Sequence, residues 1–356
     1  MISYVVPCLD EFGGMQDTAN LVYSHLRSQY EIQLINWKHT NWSLITKVFG
    51  YSTFLNIDFA KFFPLNSDFK EAKNRVMNSE LIHFWHPGPA RAFIKRNYIV
   101  SCHGVEILEA GLKMFQKEAY PKVLRNAKVV HVNSNYTKRL LSRFRIPDTK
   151  IKIINPPIDY EKFASHSQLE NRIEDKVVIG TLSRFISRKN VPNIIKALQI
   201  LHNHLGVDFK YYLAGDGYER ERILAELKGV SFQFEYFGSI SDETKVTEFY
   251  PALDIFVMPP LDLPNDVEGF GVVYLEANAY GIPVVASRVG GVPDAVKEGA
   301  SGVFANPTNP HDIAIKILEL LENKESYDHS ARAWAEQFDI KRVAKRFTEM
   351  YDEVSS

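Results

Sequence analysis

Residues 266–281 read DVEGFGVVYLEANAYG, and the segments on either side decide how this stretch must fold. Before it, 252–258 (ALDIFVM) is an apolar run with the length of a buried strand. A loop with Pro259, Pro260 and Pro264 follows, then Glu268-Gly269-Phe270-Gly271, then a helical pattern over 272–280. The order is strand, loop, Gly-containing turn, helix N-terminus. Such a corner aims free backbone N–H groups and the positive end of a helix dipole at one spot, a setting suited to a phosphate. Glu268 falls on the loop, and Glu276 lies about one turn inside the helix. Carboxylates beside an anion site call for hydrogen-bond donors, which the hydroxyls of a sugar or ribose supply. The plainer alternative is a strand–helix corner with a solvated Glu on each side.

Glu268-x7-Glu276 with Gly-Phe-Gly inside it resembles the signature of the retaining glycosyltransferases of family 4. The runs 281–287 (GIPVVAS) and 290–294 (GGVPD) resemble the same family. The resemblance is dense in the C-terminal half and looser in the N-terminal half. It implies an α/β chain of GT-B architecture: two Rossmann-like domains facing across a cleft, with a C-terminal helix crossing back to the N-terminal domain. The implied division is 1–163 plus about 335–356 for an acceptor-binding domain and 164–334 for a nucleotide-sugar-binding domain.

Size alone also favours two domains, because 356 residues exceed one ordinary hydrophobic core. Cys8 and Cys102 are the only cysteines. They support neither a disulfide framework nor a structural zinc site, and they favour a reducing compartment. The first residues lack the basic start and long apolar core of a signal peptide. No run of 18 apolar residues offers a transmembrane helix. The expected location is cytoplasmic, with peripheral contact on the inner face of the membrane as an extension. Charge is uneven. Residues 1–160 carry 21 Lys and Arg against 13 Asp and Glu, a balance of +8, which leaves 21 against 30, or −9, for 161–356. A basic half points to an anionic partner.

Strands are read at 2–6, 31–36, 81–85, 98–102, 129–133 and 151–154, then at 177–181, 209–214, 232–237, 252–258, 284–287 and 302–305. Helical patterns lie between them, including 15–28, 136–144, 191–205, 242–249 behind the cap Ser241, and 310–323. A last helical segment spans 331–354, and 164–175 reads as a polar linker. Residues 49–64 carry Phe54, Phe59, Phe62 and Phe63, either core or a loop that meets an acceptor or lipid.

Gly13-Gly14 opens the first helix and is a second place where amides could face an anion, although Gly-Gly alone is only a turn. His103-Gly104 ends a strand, at the carboxyl edge where open α/β sheets bind ligands. The resemblance adds roles. It implies that Arg184 and Lys189 clasp the donor diphosphate, with Arg188 as a competing candidate. Fixed cations there stabilise the charge that grows on the leaving group. It implies that Glu276 binds the ribose and Glu268 holds sugar hydroxyls. The backbone of Gly269, Phe270, Gly271 and Val272 is expected to face the sugar and diphosphate. Gly13 and Gly14 are expected across from the diphosphate, Gly238 near the base, and His103 against the transferred sugar. Asn155-Pro156-Pro157-Ile158-Asp159 departs from the family's Asn-Gly-Val-Asp, since Pro cannot take a positive φ.

The implied reaction transfers a hexose, mannose or glucose, from a nucleoside diphosphate sugar with retention, to a glycan or lipid-linked acceptor. The DVEGFG form resembles the branch with phosphatidylinositol mannosyltransferases, which leans the donor toward GDP-mannose over UDP-glucose. No Asp-x-Asp motif lies near the diphosphate elements, so metal independence is expected, with no metal site, no cofactor and no nucleic-acid partner. A nucleotide-sugar epimerase, a sugar phosphorylase and a non-catalytic carbohydrate-binding protein are the rivals. The segment 137–146 (TKRLLSRFRI) is basic and amphipathic. Lys138, Arg139, Arg143 and Arg145 either touch anionic lipid or simply decorate a helix whose apolar side packs on the core.

Overall fold

Runs such as Ile2–Val6 (ISYVV) and Val284–Ala286 (VVA) are buried along their whole length. That is the mark of strands covered on both faces. In the computed structural model, which describes residues 1–7, 13–37, 67–109, 114–166 and 176–355, such runs form two parallel six-stranded sheets. The chain divides into two compact units, Met1–Pro157 with Ile340–Ser356, and Ile158–Asp339.

The first unit holds β1 (Ile2–Val6), β2 (Ile32–Asn36), β3 (Leu81–Phe84), β4 (Tyr98–Cys102), β5 (Val129–Val132) and β6 (Ile151–Ile153), in the order β2-β1-β3-β4-β5-β6. The chain runs outward from β1 to β2 and then returns to the other side of β1 with β3. That reversal is a topological switch point, and ligands bind outside the carboxyl ends of strands at such a point. Helix α1 (Gly14–Leu26) follows β1. Helix α2 (Asn135–Leu141) follows β5 and is capped by Ser134, whose Oγ accepts from the Thr137 amide at 3.2 Å. The terminal helix, Ile340–Ser355, also belongs here. It buries Val343, Phe347, Met350 and Tyr351 in a cluster with Tyr4, Trp85 and Ile99.

The second unit holds β7 (Val177–Leu182), β8 (Phe209–Ala214), β9 (Gln233–Gly238), β10 (Ile255–Val257), β11 (Val284–Ala286) and β12 (Gly302–Phe304), in the order β12-β11-β10-β7-β8-β9. Its switch point lies between β7 and β10. Helix α3 (Val191–Asn203) follows β7 and turns Ile194, Ile195, Leu198 and Leu201 to the core, the i, i+1, i+4, i+7 stripe of an amphipathic helix. Helix α4 (Val272–Ala279) follows the loop after β10 and buries Tyr274, Leu275, Ala277, Asn278 and Ala279. Helix α5 (Pro310–Glu336) closes the unit.

Three expectations shift. The helix begun at Pro310 continues to Glu336, and the break falls at 337–339 rather than before 331. Phe338 causes it by turning into the core beside Trp334 and Phe270, at ring distances of 5.2 and 5.8 Å, while its carbonyl takes the Ile158 amide. Residues 242–249 are not one α-helix: Asp242–Thr244, capped by Ser241, gives way to a π-helical turn over Lys245–Phe249. The second unit starts at Ile158, ahead of the polar 164–175 segment, so the short helix Tyr160–Ala164 belongs to it. The aromatic stretch 49–64, with Phe54, Phe59, Phe62 and Phe63, lies outside the described residues.

Candidate active site

Two loops meet at the switch point of the second sheet. One leaves β7 as 183–190 and the other leaves β10 as 258–271. The first turns through a short 3-10 segment, Ser187–Lys189, and ends on Asn190 in the left-handed region at φ 62°. Asn tolerates that conformation better than most residues. The Asn190 side chain then donates to the carbonyls of Pro259, at 2.9 Å, and Pro307, at 2.7 Å, which fixes the loop to its neighbours.

This places Arg188, Lys189 and Glu268 together in the interior, exposed by only 4%, 8% and 9%. Lys189 Nζ lies 2.6 Å from Glu268 Oε2. Arg188 Nη1 donates to the same oxygen, and Arg188 Nε donates to Asp266 Oδ1 at 2.8 Å. Burial works to raise the Glu268 carboxyl, but Lys189 and Arg188 overcome it and hold the group below its ordinary range. Burial pulls the Lys189 ammonium down against the opposing pull of Glu268. Arg184 differs from both. Its side chain is exposed and takes no ion-pair or hydrogen-bond partner among the described residues. It still lies close enough to influence Lys189 and Glu268.

The turn from Glu268 into α4 needs two glycines. Gly271 has φ 100°, and a Cβ there would stand 2.4 Å from the Tyr274 ring. At Gly290 a Cβ would stand 2.2 Å from the Glu268 carbonyl, and the next amide, Gly291, donates to that carbonyl at 2.8 Å. The Gly-Gly of 290–291 thus lets its turn lie against the Glu268 backbone. Among the described residues no acceptor takes the amides of Gly269, Phe270, Gly271 or Val272. Free donors at a helix start form an anion-binding edge. Phe270 itself is buried.

Glu276 lies farther along α4, half-buried, and its Oε2 accepts from the Tyr250 hydroxyl at 2.6 Å. Tyr250 stacks on Tyr280 at 5.8 Å. Gly238 ends β9 with φ 67°, and its carbonyl accepts the Gly215 amide at 2.7 Å.

The other expected residues belong to the first unit. Gly13 and Gly14 stand at the start of α1. His103 follows β4. Its Nε2 faces the Trp85 carbonyl at 3.1 Å, so that nitrogen carries the proton and Nδ1 keeps its lone pair. Burial lowers the His103 pKa to about 4, so the ring is neutral near pH 7. The His103 carbonyl accepts from Asn133 Nδ2 at 3.2 Å, and its amide donates to Glu106.

The structure therefore gathers Glu268, Lys189, Arg184 and the 269–272 backbone at one end of one sheet. Glu276 sits apart from the ion-pair cluster, paired to Tyr250. Sequence reading left Arg188 undecided and passed over Asp266 and Tyr250. Asp266 lay in plain view two residues before Glu268, but only the fold shows Arg188 reaching it. Among the described residues no group of three or more His, Cys, Asp or Glu is arranged to hold a metal ion.

On the basic segment, Leu141 and Phe144 are buried, while Arg139, Arg143 and Arg145 are exposed and Lys138 pairs with Asp148 at 3.5 Å. Its apolar side is thus committed to the core. Among the described residues no helix is long and apolar enough to cross a membrane.

Residues 163–337 match the family described as glycosyl transferases group 1, and residues 21–162 match glycosyltransferase family 4. The GDP-mannose-dependent α-(1-6)-phosphatidylinositol monomannoside mannosyltransferase of Mycolicibacterium smegmatis is 30% identical over 66% of this chain and 63% of its own. The D-inositol 3-phosphate glycosyltransferase of Geodermatophilus obscurus is 27% identical over 63% of this chain and 52% of its own. Such alignments span about 60–63% of the length of the first curated relatives that the chain matches. The fold is that of Anabaena HepE, solved with UDP and glucose, at a TM-score of 0.78 and 16% identity over 99% of this chain and 100% of that one. Sucrose-phosphate synthase of Thermosynechococcus elongatus gives 0.74 and 16%, over 99% of each.

Proposed function

The chain belongs to the family 4, group 1 glycosyltransferases, which share the GT-B fold, and from that premise we propose that it moves a hexose from a nucleoside diphosphate sugar to a glycan or lipid-linked acceptor, with retention and without a metal. The observation that carries this reading is the edge at the second sheet's switch point: unpartnered amides at 269–272 beside Lys189, Glu268 and the exposed Arg184. The amides and the two cations take the diphosphate. Glu268 takes sugar hydroxyls through its free oxygen. Glu276 takes the ribose, and Gly238 borders the base. His103 and the Gly13-Gly14 helix start are proposed as ligand contacts that belong to the first unit.

The acceptor oxygen bonds to the anomeric carbon on the face from which the phosphate leaves, and a phosphate oxygen takes the acceptor's proton. Arg184 and Lys189 meet the charge that grows as the carbon–oxygen bond breaks, so they act more on the transition state than on the ground state. GDP-mannose is the favoured donor, since a relative at 30% identity is named for it. Arg139, Arg143 and Arg145 give a cationic surface for an anionic membrane. The buried Leu141 and Phe144 make that contact electrostatic rather than insertive.

The test is a donor screen. The protein is mixed with UDP-, GDP- and ADP-sugars, with and without EDTA, and both thermal shift and nucleoside diphosphate release are followed. One donor that stabilises the fold and is slowly hydrolysed, insensitive to EDTA and lost in Glu268→Ala and Arg184→Ala, supports the reading. Silence toward every nucleotide sugar sinks it.

A further inference from the structure

Three cations share one turn, but they are not equivalent. Arg184 is exposed and unpartnered among the described residues, and it is free to meet a ligand. Arg188 is tied down three ways: Nε to Asp266, Nη1 to Glu268, and its carbonyl to the Leu261 amide at 2.8 Å. For Arg188 to reach an anion at the 269–272 amides, it would have to leave Asp266 without a counter-charge and Glu268 with Lys189 alone. That move breaks two ion pairs at once, one of them to the buried Glu268, whereas Lys189 has one to break.

Lys189 is held more loosely. Its ammonium has three donors and only one strong acceptor, Glu268 Oε2 at 2.6 Å; the other contact is the Met258 sulfur at 3.4 Å, a weak acceptor. Lys189 can leave Glu268 without stranding it, because Arg188 still holds the same oxygen. The cluster as it stands is neutral: Arg188 and Lys189 against Glu268 and Asp266. An arriving diphosphate brings new negative charge, and Lys189 is the buried cation that can answer it.

We propose that the donor diphosphate draws Lys189 away from Glu268 while Arg188 retains that carboxylate, so that Arg188 is a positioning residue and the empty site is neutralised by an exchangeable counter-ion. This rests on the donor reading above. It adds which cation moves and which stays.

The test titrates inorganic pyrophosphate into the full chain and its variants by calorimetry at low salt. Glu268→Gln removes the group that competes for Lys189, so pyrophosphate binds about tenfold more tightly. Arg188→Gln leaves Lys189 as the sole counter-ion of Glu268, so pyrophosphate binds about tenfold more weakly. Arg188→Lys restores part of that loss. In a Lys189→Ala background, Glu268→Gln no longer tightens binding, which separates the exchange from a general change in site charge. Should Arg188→Gln fail to fold, the Glu268 and Lys189 arms decide alone. Unchanged or weaker binding in Glu268→Gln overturns the proposal, as does tightening that survives Lys189→Ala. The expected signs with no turnover of any nucleotide sugar would sink the transferase reading and leave the exchange standing. Absence of pyrophosphate binding in every variant overturns both.

Discussion

The Tyr351 hydroxyl donates to Nδ1 of His83 across 2.8 Å, deep inside the first unit, and this direction is set two strands away. His131 Nε2 lies 2.9 Å from the Ile154 carbonyl, which can only accept, so that nitrogen carries the proton. His131 Nδ1 then accepts from Ser101 Oγ at 2.7 Å, and Ser101 Oγ accepts from His83 Nε2 at 2.7 Å. That leaves His83 Nδ1 to accept from Tyr351, whose oxygen in turn accepts from Tyr4. One carbonyl thus orients five side chains across β1, β3, β4, β5 and the terminal helix.

Both buried histidines must stay neutral for this chain of bonds to exist. Burial lowers His131 to about 3 and puts His83 well below its ordinary value. A histidine whose folded pKa is depressed contributes stability that is complete above its unfolded pKa, about 6.5, and is lost as pH falls toward the folded value. Stability of the first unit should therefore fall between about pH 6.5 and 4, by up to about 1.4 kcal/mol per pH unit for each histidine. Urea unfolding followed by tryptophan fluorescence suits the measurement, since among the described residues Trp37 and Trp85 lie in this unit and Trp334 in the other. Equal midpoints at pH 7 and pH 5 would contradict the assignment.

Position in the network predicts unequal effects for two similar changes. Tyr4→Phe removes the terminal donor and should cost about 1 kcal/mol. Tyr351→Phe leaves the Tyr4 hydroxyl without an acceptor and His83 Nδ1 without a donor, and should cost about 2–4 kcal/mol. Chemical denaturation of both variants checks the order, and a larger loss in Tyr4→Phe would reverse it.

Arg184 and Lys189 should separate binding from stability. Arg184→Ala should leave the unfolding free energy within about 0.5 kcal/mol, as for an exposed side chain with no partner. Turnover with the donor should fall about 100-fold. Lys189→Ala should lower turnover as well, and it should also destabilise by about 1.5 kcal/mol, since a buried charge-assisted hydrogen bond is lost while Arg188 still holds Glu268. Thermal unfolding and kcat/KM on the same preparations compare the two.

Gly271→Ala should damage the site through the backbone. The substituted residue would need φ near 100° and would push a methyl into the Tyr274 ring. Strain of this kind is worth about 1–3 kcal/mol. Nucleoside diphosphate affinity should fall along with the melting temperature, and normal affinity in a folded variant would show that the 269–272 amides do not bind the ligand.

Much of the fold was legible because parallel strands are short apolar runs with punctuated ends: 98–102 and 209–214 coincide with β4 and β8 to the residue. What escaped depends on long-range contact. Nothing near Phe338 announces that it turns inward and ends α5, because its partners are Phe270 and the Ile158 amide. The site reads the same way. Glu268 and the glycines around it are local signals, and they were visible. The pairing of Arg188 with Asp266 joins residues 78 positions apart and could only come from the sheet order. The Tyr4–Tyr351 contact, 347 positions apart, was beyond any local pattern.

The placement of Ile340–Ser355 has a consequence for how the chain is made. The second unit is one continuous segment, Ile158–Asp339, so every strand of its sheet is translated before Ile340. The first unit receives its closing helix only after the whole second unit has been made. Until then Tyr4, Trp85 and Ile99 have no Phe347 or Tyr351 to cover them. The first unit is thus the later of the two to be completed, although most of its sheet is translated before the second unit begins.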